Sequence, residues 1–109
     1  MRLLVVDANG QKQTVLSGGL EAVVDHSAAI LVTGNSQIAI AANPLRSGYV
    51  LQNVSNKDMW INEVATATVD SGSFKFVAGS FFPPQGFPIT TGDINIVGTA
   101  GDHFVAREW

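Results

Sequence analysis

Between Ala28 and Arg107 the chain is written in short apolar runs that recur roughly every eight to twelve residues, divided by clusters of turn-forming residues. The dividers include Thr33-Gly34-Asn35-Ser36, Asn43-Pro44-Leu45-Arg46-Ser47 and Ser55-Asn56-Lys57-Asp58. Asn, Asp, Ser, Gly and Pro favour turns because each supplies a local side-chain hydrogen bond, a positive φ or a preset φ. Many short strands at even spacing are the mark of a sandwich or barrel. The pattern predicts eight strands: Ala28–Val32, Gln37–Ala42, Gly48–Val54, Met59–Val64, Ser73–Val77, Gly86–Ile89, Ile94–Val97 and His103–Arg107. Side chains alternate between the faces of a strand. Ile38 and Ile40 are therefore expected to share one face, as are Phe74 and Phe76, while Tyr49, Leu51 and Asn53 oppose Val50, Gln52 and Val54. Phe74, Phe76, Ile94, Ile96 and Phe104 are the expected core.

The N-terminal segment reads differently. Leu3 to Val6 is a continuous apolar run, Asn9-Gly10 suits a tight turn, and Thr14-Val15-Leu16 can return as a second strand. Gly18-Gly19 then breaks the pattern. Leu20, Val23, Val24 and Ala28 recur at helical spacing, so the stretch from Leu20 to Ser27 is either a turn or two of helix or an extended linker. This divides the chain into an N-terminal arm or hairpin with its linker, 1–26, and a β-sandwich, 27–109. The run from Ala78 to Pro88 sets three aromatics, Phe81, Phe82 and Phe87, among three prolines, which cannot donate to a ladder. It is expected to be a stiff loop. Eight strands and a long crossing loop suggest a jelly roll of two four-stranded sheets, with an immunoglobulin-like sandwich as the competitor.

Composition narrows what such a domain does. In 109 residues, 46% are hydrophobic and 14% charged, against about a quarter charged in an ordinary soluble domain. Part of the surface is thus expected to be covered by something other than water. A net charge of −3, with Arg2, Lys12, Arg46, Lys57, Lys75 and Arg107 scattered along the chain, speaks against a nucleic-acid partner. Asp7 ends the first apolar run too early for a signal-peptide core, and no run is long enough to span a bilayer. No membrane partner is expected. With no cysteine, disulfides and thiolate chemistry are excluded.

The residue types that carry chemistry do not converge in sequence. His26 and His103 are the only histidines and lack metal-ligand spacing; Asp102 before His103 reads as a turn residue. A cupin-type metal site needs more histidines than the chain has. No Ser lies in a Gly-x-Ser-x-Gly elbow, and Ser71-Gly72-Ser73 reads as a turn. Glu63, Asp70, Asp93 and Glu108 show no spacing that marks a glycosidase pair. Gly18-Gly19 and Gly98-Thr99-Ala100-Gly101 lack the Lys-Ser/Thr ending of a phosphate loop. Oxygens of Asn53, Asn56, Asp58 and Asn62 offer a calcium site, but an Asx turn explains them more simply. The expectation is a non-enzymatic protein without metal or cofactor. Among the aromatics, Trp60 is expected to pack in the core or between the sheets, and Phe81, Phe82 and Phe87 to make an intersubunit contact.

One stretch carries a resemblance. Asn43-Pro44-Leu45-Arg46-Ser47-Gly48-Tyr49-Val50-Leu51-Gln52-Asn53-Val54-Ser55, then Met59-Trp60-Ile61-Asn62, and the closing Gly101-Asp102-His103-Phe104-Val105-Ala106-Arg107-Glu108, are similar to a pattern in small structural proteins of tailed-bacteriophage virions. The likeness covers about residues 27 to 109. It implies a virion component assembled in the host cytoplasm, most simply a capsid decoration or cement protein that contacts the major capsid protein and copies of itself as a homo-oligomer. A neck or tail adaptor, or a fibre anchor, is the alternative address, and a host-glycan-binding module built on the aromatic loop is the alternative class. The interface candidates are Leu3, Val5, Val15 and Leu16 in the arm, Arg46 before the third strand of the sandwich, and Phe81, Phe82 and Phe87 in the loop.

Overall fold

A computed structural model describes residues 22–109 in full and, of the residues before them, the backbone of two strands. Those strands, β1 (Arg2–Val6) and β2 (Lys12–Leu16), form the expected antiparallel hairpin, with Leu3 opposite Val15 and Val5 opposite Gln13. The turn between them lies outside the described residues. The remaining strands are β3 (Val24–Asp25), β4 (Ala28–Ala29), β5 (Gln37–Ile40), β6 (Tyr49–Asn53), β7 (Met59–Asn62), β8 (Phe74–Phe76), β9 (Phe81–Phe82), β10 (Ile94–Val97) and β11 (His103–Glu108). No helix occurs among the described residues.

The protein is all-β. One sheet has four strands in the order β5-β10-β7-β8, the other five, in the order β3-β11-β6-β9 with β4 also on β11, and every pairing is antiparallel. β3 and β4 are one edge strand interrupted at His26-Ser27. There the His26 amide still reaches the Ala106 carbonyl at 2.7 Å, and the Ser27 hydroxyl accepts from the Ala106 amide at 3.1 Å. The two sheets pack as a sandwich around Ile40, Tyr49, Leu51, Met59, Ile61, Phe76, Phe82, Ile94, Ile96, Phe104 and Ala106, all buried. Alternation explains most of this list. Tyr49, Leu51 and Asn53 of β6 face inward, as do Phe104, Ala106 and Glu108 of β11.

Three expectations are corrected, and one that was left open is decided. The helical spacing at Leu20 to Ser27 does not give a helix where the chain is described, since Val24–Asp25 is a strand on the edge of β11 and both Val23 and Val24 are exposed. An apolar stripe makes a helix only when it has a face to bury. Gly86–Ile89 is not a strand. Phe81–Phe82 takes that place, pairing with Gln52 and Leu51 of β6 just before Pro83 and Pro84. A strand at a sheet margin tolerates adjoining prolines because its outer side needs no donors. Ile38 and Ile40 do not share a face: the pairing of β5 with β10 slips between Ile94 and Asn95, leaving Ile40 fully buried and Ile38 exposed. A bulge adds one residue and reverses the alternation beyond it. Phe74 is 45% exposed although Phe76 is buried, because β8 is the last strand of its sheet and Phe74 reaches the open margin.

Candidate functional site

Two side-chain clusters stand out, one polar and closed, one apolar and open. The polar cluster begins with Glu108, which the alternation of β11 turns into the sandwich. A carboxylate there needs a cation and hydrogen-bond donors to offset its desolvation. Arg46 supplies them: its Nε donates to Glu108 Oε1 at 2.9 Å, and its side chain is fully buried. Three of the four remaining guanidinium hydrogens go to the carbonyls of Ala41, Thr90 and Gly92 at 2.6–3.0 Å, so one side chain ties the chain after β5 and the loop before β10 to the last strand. His26 Nε2 lies 2.6 Å from Glu108 Oε2 and joins the interrupted edge strand to the same group. Burial pushes the Glu108 carboxyl up, but the hydrogen bonds from Arg46 and His26 outweigh it and hold the group below its ordinary value.

A second buried polar residue, Asn53, closes the turn after β6. Its amide donates to the carbonyls of Lys57 and Phe76 at 2.7 and 2.8 Å, and its oxygen accepts from the amide and hydroxyl of Ser55 at 3.0 and 2.7 Å. Asn62 repeats the device after β7, accepting from the amides of Val64 and Ala65 and donating to Gly72 O. Both asparagines are thus spent on Asx-type turns. Among the described residues no group of three His, Asp or Glu side chains gathers. His103 starts β11 while His26 sits beside its other end, which keeps the two histidines apart. Asp93 is spent on the Ala42 amide at 2.7 Å.

The open cluster lies where β8 and β9 form the margin of the two sheets. Phe74, Phe82 and Phe87 meet with ring centroids 5.2–5.6 Å apart, edge to face at Phe87, and Tyr49 flanks Phe82 at 6.4 Å. Such contacts contribute about 0.5–1.5 kcal/mol each beyond the area they bury. Beside Phe87 the surface dips into a cleft of about 280 Å³ lined by Glu63, Val64, Phe87, Pro88, Ile89 and Thr90. Val64 is 84% exposed, and Ile89 and Phe74 are also open to solvent. Beneath lies Tyr49, whose hydroxyl is buried without a partner. Burial, added to by the Glu63 carboxylate and opposed by Arg46, pushes its phenol up to about 12.

The residues expected at an interface separate accordingly. Arg46 is corrected: with a fully buried side chain and four of its five donors bonded within the chain, it braces the fold and cannot reach a neighbour. Phe82 is corrected likewise, being 4% exposed and part of the core, because alternation along β9 turns it inward and Phe81 outward. Phe81 is 62% exposed, and Phe87 is half-buried at the cleft. Leu3, Val5, Val15 and Leu16 lie on β1 and β2, with side chains outside the described residues. Trp60 is half-buried. Val64 and Ile89 were missed; an apolar side chain in a turn rather than a strand was their only signal. Compared with protein-family models, curated proteins and solved structures, the chain finds no match.

Proposed function

We propose that this chain is a non-catalytic structural subunit of a bacteriophage virion, a capsid decoration protein that holds by apolar contacts to the major capsid protein and to its own copies. The observation that carries the reading is the apolar surface left open. Among the described residues, fourteen large hydrophobic side chains are exposed, and those at Val64, Phe74 and Ile89 lie on or beside the cleft at one margin. Scattered apolar residues are ordinary on any surface, but a contiguous patch marks a contact.

Connectivity supports the same reading. Counting β3 and β4 as one strand, the sandwich pairs first with eighth, second with seventh, third with sixth and fourth with fifth. That is the arrangement expected of a jelly roll, an architecture found in viral capsid and lectin domains. Fold alone does not fix function. The likeness at Asn43, Arg46, Asn53, Ser55 and Glu108 adds to it, since these side chains hydrogen-bond in the two clusters that hold the loops.

The test is quantitative mass spectrometry of purified particles of the phage that encodes the chain. Hundreds of copies per particle are expected for a shell protein. About a dozen would move the protein to the neck or tail, and absence from the particle would overturn the virion reading. Particles lacking the protein should also lose capsid integrity at a lower temperature.

A further inference from the structure

At about 280 Å³ the cleft beside Phe87 is at the lower end of small-molecule pockets, which run to roughly 300–1,000 Å³. Its lining is apolar except for Glu63 and Thr90, so it lacks the array of donors and acceptors that a sugar needs. It suits aliphatic side chains. The chain itself carries a segment in want of such a site. β1 and β2 pair only with each other among the described strands, and a two-stranded ribbon by itself is marginally stable in water.

The register sorts the ribbon's residues by face. Leu3, Val5 and Val15 share one face with Gln13, free of charge, while Arg2 and Lys12 fall on the other with Leu4, Val6, Thr14 and Leu16. Both charges in the two strands, Arg2 and Lys12, fall on that second face, so the first can meet the cleft's apolar lining without bringing a cation into it. We propose that the Leu3–Val5–Val15 face of the hairpin of one copy docks over the Val64–Phe87–Ile89 cleft of a second copy, making the chain a hairpin-exchanged homo-oligomer. This rests on the assembly reading above and names the partner of its open margin. Docking covers the exposed apolar side chains of the cleft and the ribbon's uncharged face together, with the face that carries Arg2 and Lys12 turned away from the cleft.

The absence of cysteine makes a clean test. Val5→Cys and Val64→Cys chains are prepared separately, mixed as full-length proteins and treated with the thiol oxidant diamide. A disulfide between positions 5 and 64 in this mixture can only be intermolecular. The expected result is a mixed dimer forming at least tenfold faster than either homodimer. Equal rates for all three dimers would overturn the proposal, as would intramolecular closure of the double variant under conditions where the mixture does not cross-link.

A second readout does not depend on the thiols. Val64→Lys, at an 84% exposed position, is expected to weaken self-association at least tenfold in sedimentation velocity and leave the unfolding midpoint unchanged. Leu31→Lys, 75% exposed but beside β5 at the opposite margin, is expected to leave association as it was. The same loss in both variants, or in neither, would overturn the docking site. These experiments use isolated protein, so their failure leaves the particle count, and with it the virion reading, standing or falling by itself.

Discussion

Arg46 and Glu108, 62 residues apart in the chain, meet inside the sandwich with Nε donating to Oε1 at 2.9 Å and neither side chain more than 5% exposed. Breaking such a pair from one side leaves an unpaired charge in the interior, at a cost of about 3–5 kcal/mol. Arg46→Ala and Glu108→Ala are each expected to destabilise by that order in urea unfolding. The double variant should fall well short of the sum, since removing both charges removes the uncompensated one. Arg46→Lys should rescue little. An ammonium cannot reach Glu108 and the carbonyls of Ala41, Thr90 and Gly92 in the planar geometry that the guanidinium fits.

The same pair sets an acid limit. Glu108 is held below its ordinary value of 4.5 in the folded protein, so the unfolded chain binds the proton first as the pH drops. Its stabilisation is therefore fully present above the unfolded value and lost as the pH falls through the lower folded one. The urea midpoint should decline more steeply below about pH 4.5 in the native chain than in Glu108→Gln, which starts lower but carries no titrating group there. Parallel curves would mean that other carboxylates dominate. Asp25 is the natural control. Hydrogen bonds from the Ser27 hydroxyl and amide and from Arg107 lower it to about 2, but it is open to solvent, so Asp25→Asn should change the curve little.

Much of this fold was legible because alternation is a local signal. Tyr49, Leu51 and Asn53 against Val50, Gln52 and Val54 could be assigned from β6 alone, and Ile94, Ile96 and Phe104 were recognisable as core for the same reason. What escaped reading depended on distant partners. The slip opposite Ile94 that exposes Ile38, and the open margin that exposes Phe74, are properties of the assembled sheets. Arg46 was misplaced at an interface because its partner sits 62 residues away. A signal did exist at the other end: extending the Phe104–Ala106 alternation by one step puts Glu108 on the inner face, where a carboxylate demands a cation. The cleft had no comparable trace, since it forms where the turn after β7 meets the loop before β10.

Asn53 tests whether the turn motif serves the fold. All four hydrogen bonds its side chain makes point into the turn or the facing sheet, and the residue has no exposed surface. Asn53→Asp keeps the shape but replaces the two donated hydrogens with lone pairs aimed at the carbonyls of Lys57 and Phe76. An unsatisfied buried acceptor costs about 1–3 kcal/mol, more when charged. The variant should unfold at least that much more easily at pH 7 and recover part of the loss at low pH, where protonation restores one donor. Chemical denaturation at pH 7 and pH 4 checks it. A loss that does not lessen with acid would assign the effect to packing instead.

Phe81 and Phe82 stand side by side and should answer in opposite ways. Phe82 packs against Phe74, Phe87 and Tyr49 at 4% exposure, so Phe82→Ala opens a cavity at the sandwich margin, with a cost of about 3–5 kcal/mol. Phe81 is 62% exposed on the outer face of the same two-residue strand, and Phe81→Ala should stay within about 0.5 kcal/mol of the native chain in urea. Its effect belongs to assembly. If the exposed phenylalanine sits within a contact between subunits, the variant will be as stable as the parent in dilution yet dissociate from its own copies or from the shell at lower protein concentration. Analytical ultracentrifugation beside the unfolding curve separates the two roles. Equal destabilisation by both variants would mean that Phe81, too, is held by its own chain, and would remove it from any interface.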